Sequence, residues 1–206
     1  MIRVRFVGEG PRDEAIVPPL VSGWLGKPTW QPSFVTWSKL VVRKSGRTRT
    51  LRGLARKLEY AVSQALTDRQ HALVATIDRD RAPPSERLSQ MRSGITAPSR
   101  LPAALGEADP HAEAWLLDDP RAVRDGLDLP ADTPLNNVRK CVPKAELNAL
   151  CEPVARERGC THLQLLKEIA RRVQINRCNH PSETGLQAFH NEVRSNLGSL
   201  AGVVPA

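Results

Sequence analysis

Two aspartates, Asp78 and Asp80, stand one residue apart where an apolar run ends, in ALVATIDRDRAPPSER (Ala72 to Arg87). Leu73 to Ile77 are all suited to burial, and side chains two apart on a strand share a face. Both carboxylates are therefore expected to emerge together at the carboxyl end of a buried strand. In open α/β sheets that edge is where ligands bind. Neighbouring carboxylates repel unless positive charge lies between them, and hard oxygen donors of this kind suit Mg2+ or Mn2+. The plainer alternative is an acidic, solvated loop or a helix cap.

FVGEGPRDE supplies a second acidic turn. Glu9 sits between Gly8 and Gly10, and Asp13 follows four residues later at the expected start of a helix. If the two strands are neighbours, Glu9, Asp13, Asp78 and Asp80 converge. Four carboxylates suffice to hold two metals about 4 Å apart, the arrangement of two-metal phosphodiester chemistry.

The elements that must position these groups are legible in outline. Ile2, Val4 and Phe6 alternate with Arg3 and Arg5, the period of a strand. DEAIVPPLVSGWLG then reads as a helix with Asp13 and Glu14 in its first turn, which Pro18 and Pro19 are expected to break or kink. Ser33 to Lys44 is β-branched and aromatic and reads as one strand. Thr50 to Leu66 is the clearest helix, with Leu51, Leu54, Leu58, Ala61, Val62 and Ala65 on one stripe. The Asp78 strand comes next, then a helix over Ser85 to Arg92 with Ser85 as N-cap. This β-α-β-α-β-α order predicts a parallel sheet with helices on its faces. In the second half, His111 to Val123 reads as strand or helix ending at Pro120, and ADTPLNNVRKCVP as loop. Helices are expected over KAELNALCEPVARERG, THLQLLKEIARRVQ and ETGLQAFHNEVRSNLGSL. The expected organisation is an α/β core over residues 1–125 and a mainly helical extension over 126–206 packed on it.

The bulk numbers narrow the class. The chain has 206 residues, 40% hydrophobic and 25% charged, enough for a sizeable core. MIRVRFVGEG is too short and too charged for a signal peptide, and no apolar run approaches the roughly 18–20 residues of a membrane span. A cytoplasmic, non-membrane protein is expected. The formal charge of +8 lies in the first half: residues 1–100 carry 18 Lys/Arg against 8 Asp/Glu, and residues 101–206 carry 12 against 14. Nucleic acid is the cheapest partner for such a face, and a basic solvated surface is the alternative. Lys39 to Lys57 concentrates that charge in eight Lys/Arg with no acid. Arg43, Lys44, Arg47, Arg49, Arg52 and Arg56 are its candidate phosphate contacts. Arg79 and Arg81 interleave the two aspartates, to approach a scissile phosphate or to neutralise the carboxylates.

The acidic turn after the first strand and the D-x-D after a later one resemble the Toprim domain of type IA topoisomerases, DnaG-type primases and OLD-family nucleases. VGEGPRDE looks like the V-E-G-x-[ST]-[DE] form of OLD-like nucleases, with Gly8 before Glu9 and Arg12 where a small hydroxyl is usual. TIDRDRA looks like their D-x-D strand. HAEAWLLDDPRAV is similar to the E-x-E-x-W-L-L-A-D stretch of a bacterial Toprim-like family classed as a domain of unknown function. The fourth strand that this resemblance requires falls on LPAALGEADP, which is poorly marked. The resemblance spans about Ile2 to Val123 and implies a Rossmann-like fold and a Mg2+- or Mn2+-dependent nuclease. It gives Glu9 a general acid/base or metal role, Asp78 and Asp80 metal binding, and Asp13 a second metal. Glu113 is either a further ligand or a structural carboxylate. Such proteins often accompany an ATPase in bacterial anti-phage defence. The same resemblance also covers an inactive, partner-docking or nucleic-acid-binding subunit.

Other constellations are weaker. Cys160, His162, Cys178 and His180 form two Cys-x-His pairs, which offer four zinc ligands or ordinary packing. Trp24, Trp30, Trp37 and Trp115 serve base stacking or the core. There is no Walker loop, G-x-S-x-G or H-E-x-x-H, so nothing favours a nucleoside triphosphatase, a serine hydrolase or a zincin.

Overall fold

The computed structural model describes residues 1–26, 30–44, 47–95 and 101–202. Among these residues the strands are β1 (Ile2–Gly8), β2 (Trp30–Thr36), β3 (Val41–Lys44), β4 (Arg47–Thr50), β5 (Ala72–Asp78) and β6 (Ala103–Ala108). The helices are α1 (Pro11–Leu25), α2 (Leu54–Thr67), α3 (Glu86–Arg92), α4 (Glu113–Leu117), α5 (Pro120–Leu127), α6 (Pro143–Arg158), α7 (His162–Ala170) and α8 (Leu186–Ala201). Four strands form one parallel sheet in the order β2-β1-β5-β6, with helices on both faces, a Rossmann-like α/β fold.

The apolar run of β5 is divided by parity. Ala72 and Val74 face the core built with α1 and the C-terminal helices, whereas Leu73, Ala75 and Ile77 face the one built with α2. Asp78 has the parity of Ala72 and Val74 and so leaves the strand on the α1 side. The α1-side core is continuous from Val4 and Phe6 through Trp115 to Leu166, Phe189 and Leu197. Residues on either side of position 125 therefore share one interior.

Several elements differ from expectation. Pro18 and Pro19 do not break α1, which runs on to a left-handed cap at Gly26. Their missing N–H groups leave two carbonyls without helical donors, a cost of about 3 kcal/mol for an interior proline. Burial of Ile16, Val17, Leu20 and Val21 on that helix offsets it. Ser33 to Lys44 is not one strand: a 3-10 turn at Trp37–Lys39 separates β2 from β3, and β3 pairs antiparallel with β4. The buried Trp37 indole fixes that turn by donating to the Thr76 carbonyl at 2.8 Å. Consequently α2 starts at Leu54 rather than Thr50, with Leu58, Ala61 and Ala65 buried as the stripe requires. Ser85 precedes α3 but makes no side-chain cap, because it is left-handed and its own N–H donates to Glu107. The element expected over His111 to Val123 is two helices: α4 ends at Leu117, shortly before Pro120, which opens α5.

LPAALGEADP does form the fourth strand, β6. Its Gly106 admits the ring of Phe189, since a Cβ there would lie 2.7 Å from that ring. Phe189 stacks in turn on Trp115 with centroids 5.0 Å apart, and the Trp115 indole donates to the Thr184 carbonyl. Trp24 packs edge-on against Phe189. Among the described residues, no helix is long and apolar enough to cross a membrane.

Candidate metal centre

The parallel β1–β5 pairing sets Val4 to Val7 beside Ala72 to Ala75. Both strands therefore end at the same edge, where Glu9 follows β1 and Asp78 closes β5. Gly10 caps α1 and Pro11 opens it, so Asp13 lies in its first turn. The Asp13 carboxylate reaches back to accept the Glu9 N–H at 2.5 Å. Asp13 is 5% exposed. Burial pushes its pKa up to about 7, and the charges of Asp78, Glu113 and Glu9 add to the shift while the Glu9 N–H opposes it.

Asp78 behaves alike. Burial, then Glu113, Glu9 and Asp80, raise it to about 7, against one hydrogen bond from the Ala112 N–H at 3.3 Å. Glu9 is raised too, first by burial, with the charge of Arg87 opposing and that of Asp80 adding. Five carboxylates from three separate chain segments thus sense one another. Asp80 is placed differently from expectation. The strand ends at Asp78, and Asp80 has a φ of 51°, so strand parity does not orient it. It is the most exposed of the five.

Two guanidinium groups and an imidazole complete the cluster. Arg87 at the start of α3 donates to the Asp78 carbonyl, lies 3.0 Å from Asp80 Oδ2 and 3.9 Å from Glu9 Oε1. Arg12 pairs with Glu113 at 2.9 Å and also donates to Asn148. Glu113, buried and so engaged, has a structural partner from α1. His111 Nδ1 lies 3.4 Å from Asp78 Oδ2 and 3.7 Å from Asp80 Oδ1. Arg79 does not neutralise the two aspartates; it turns to Asp109 and the Ala82 carbonyl. Arg81 is exposed. Neither Arg87 nor His111 was singled out from sequence. The available signal was their position, one helix after the D-x-D and two residues before Glu113.

The donor set is all carboxylate oxygen with one imidazole, which suits a hard divalent cation. Among the described residues, no group of three or more His, Cys, Asp or Glu stands ready to hold a metal ion with its side chains as they are. The carboxylates are instead held partly by Arg12, Arg87 and backbone N–H groups.

Gly8 makes this packing possible. A Cβ there would lie 2.7 Å from Asp13 Oδ2 and 3.0 Å from the Phe34 ring. Gly8→Ala is expected to push Asp13 off the Glu9 N–H, cost about 1–3 kcal/mol and weaken any divalent cation bound there. Thermal melts with and without Mn2+ check both effects.

The other expected residues are dispersed. Arg52 and Arg56 are exposed near the start of α2, and Lys57 is close enough for its charge to act on Glu9. Arg43, Lys44, Arg47 and Arg49 lie on the β3–β4 hairpin, with their side chains outside the described part. The Cys-x-His groups are engaged separately: His162 with Glu152, His180 with Asn137 and Glu183, and Cys178 with the Gln174 carbonyl. Burial pushes the Cys178 thiol well up, so it stays protonated. A cleft of about 540 Å³ between α1, β2 and α7, lined by Pro18, Trp30, Phe34, Lys167 and Arg171, includes none of the five carboxylates.

Fold and site together define a class, a Rossmann-like α/β protein with a carboxylate cluster at the carboxyl edge of its two central strands. No protein-family model matches the chain, and neither a curated protein nor a solved structure matches it.

Proposed function

We propose that this chain is a Toprim-like, Mg2+- or Mn2+-dependent phosphodiester-cleaving enzyme, a nuclease. The observation that carries the proposal is the pair Asp13 and Asp78, both raised to about 7 by burial and by shared negative charge at one sheet edge. A fold rarely keeps such a costly arrangement away from a functional site. Asp78, Asp80, Asp13 and Glu9 would hold the ion or ions, and Glu113 would brace them from its pairing with Arg12. Bound there, a divalent ion supplies an activated water and a countercharge for the leaving oxygen. Glu9, half-exposed with a raised pKa, is suited to handling the proton. The basic segment, whose Lys57 is close enough for its charge to act on Glu9, would hold the phosphate backbone. The same proposal places the protein in the cytoplasm, with an ATPase partner in an anti-phage system.

Arg52 and Arg56 give this reading a salt-dependent signature. Replacing both by alanine should weaken nucleic-acid binding alike for all sequences and flatten the log K against log salt slope by about 2. Anisotropy titrations across 50–200 mM salt, values of roughly the usual range, would show it.

One observation favours a non-catalytic subunit instead: Arg12 and Arg87 already neutralise part of the cluster. The deciding experiment incubates the protein with plasmid, single-stranded DNA and RNA in Mg2+ or Mn2+, beside the Asp78→Ala/Asp80→Ala double variant. Metal-dependent cleavage by the parent alone supports the nuclease. Cleavage that survives the double substitution sinks it, and binding without cleavage supports the subunit.

A further inference from the structure

We propose that His111 is a nitrogen ligand of this cation site and makes it prefer Mn2+ to Mg2+. The inference rests on the metal-dependent reading above and assigns a donor that the acidic motifs do not contain. Nδ1 of His111 is shielded from solvent and makes no hydrogen bond. It faces Asp78 Oδ2 at 3.4 Å and Asp80 Oδ1 at 3.7 Å. Ligand atoms held at right angles by bonds of about 2.1 Å lie about 3 Å apart. The two separations, 3.4 and 3.7 Å, exceed that edge by about 0.4 and 0.7 Å, so a small rotation of the imidazole or of Asp80 would close them.

The placement is built from both sides. The Ala112 N–H donates to Asp78 Oδ1, and the Asp80 N–H donates to the Pro110 carbonyl at 3.4 Å. The segment carrying His111 is thereby tied to the turn carrying the two aspartates. Imidazole serves transition metals well, whereas Mg2+ keeps to oxygen ligands and water. A site with one imidazole among carboxylates therefore favours Mn2+. The competing role for His111 is a protonated ion-pair partner of the same aspartates.

The test uses the full chain, freed of metal by chelation, with Mn2+ alone as probe. Pulsed EPR of the bound Mn2+ should show coupling to an imidazole nitrogen. The coupling should vanish in His111→Gln, and Mn2+ affinity should fall roughly tenfold or more, the size of effect seen for groups that shape metal sites. Mg2+ affinity, measured by competition, should change less than about threefold, because Mg2+ gains little from nitrogen. His111→Ala, checked for folding by circular dichroism, should regain the nitrogen coupling when free imidazole is added. Mn2+ bound in an Asp78-dependent way without nitrogen coupling, or coupling that survives His111→Gln, overturns the role of His111 and leaves the metal-dependent reading standing. Failure of the parent chain to bind Mn2+ overturns both.

Discussion

Asp78→Asn should abolish cleavage, by about a thousandfold or more, and at the same time raise the melting temperature of the metal-free protein at pH 8. On the metal-dependent reading proposed above, the activity loss follows from removing a charged ligand at the centre of the cluster. The stability gain follows from linkage. Asp78 titrates near 7 in the folded chain and near 3.9 when unfolded. Between about pH 4 and 7 the unfolded state loses its proton first, so the wild-type protein loses stability as pH rises through that window. Below pH 4 both states are protonated and the penalty is absent. Asparagine keeps a carbonyl for the Ala112 N–H but carries no charge. It should stabilise by about 2–4 kcal/mol at pH 8 and by almost nothing at pH 4. Melts of both proteins across that range, without and with Mn2+, decide the matter. The ion should close the gap at pH 8 by stabilising the wild type alone. A variant that loses stability at pH 8 would show that Asp78 has a structural task.

Asp119→Ala should produce the largest loss of stability, about 3–5 kcal/mol, the scale for breaking a buried ion pair. Asp119 has no exposed surface. One oxygen accepts the Ala122 N–H and caps α5, and the other accepts the Gln174 N–H and the Arg177 guanidinium at 2.9–3.0 Å. Alanine would remove the cap and leave Arg177 without its carboxylate. Asp119→Asn keeps one acceptor oxygen but turns an amide NH2 toward the donors on the other side, so it should cost only somewhat less. Chemical denaturation measures both, and a loss in Asp119→Ala of under about 1 kcal/mol would mean that the Arg177 charge is solvated elsewhere. The neighbouring Asp118 accepts the His180 N–H at 2.7 Å. This adjacent aspartate pair thus ties the 174–180 segment to α5, in contrast with the pair at 78 and 80.

Local pattern made the central strands legible. Alternation marked β1, an apolar run suited to burial marked β5, and an apolar stripe marked α2. Glu9, Asp13 and Asp78 could be placed together because strand ends in a parallel sheet share an edge. The parts that escaped depend on distant partners. The continuity of α1 through two prolines comes from the cores packed on it, and the break after Thr36 from an indole bonding to β5. Gly106 weakened the β6 pattern because its missing side chain serves Phe189. Arg12 meets Glu113 across 101 residues of sequence, which no local period records. Asp80 escaped strand parity because its backbone turns left-handed two residues after the strand ends.

The hairpin β3–β4 forms a two-stranded sheet of its own, apart from the parallel sheet. The entropy of closing a loop rises only with the logarithm of its length, by about 0.6 kcal/mol for each doubling. An excursion inserted between β2 and α2 can therefore lengthen or shorten at little thermodynamic cost, while the β1–β5 register holds the carboxylates where they are. Lineages of such a chain would be free to exchange the arm and keep the acidic edge.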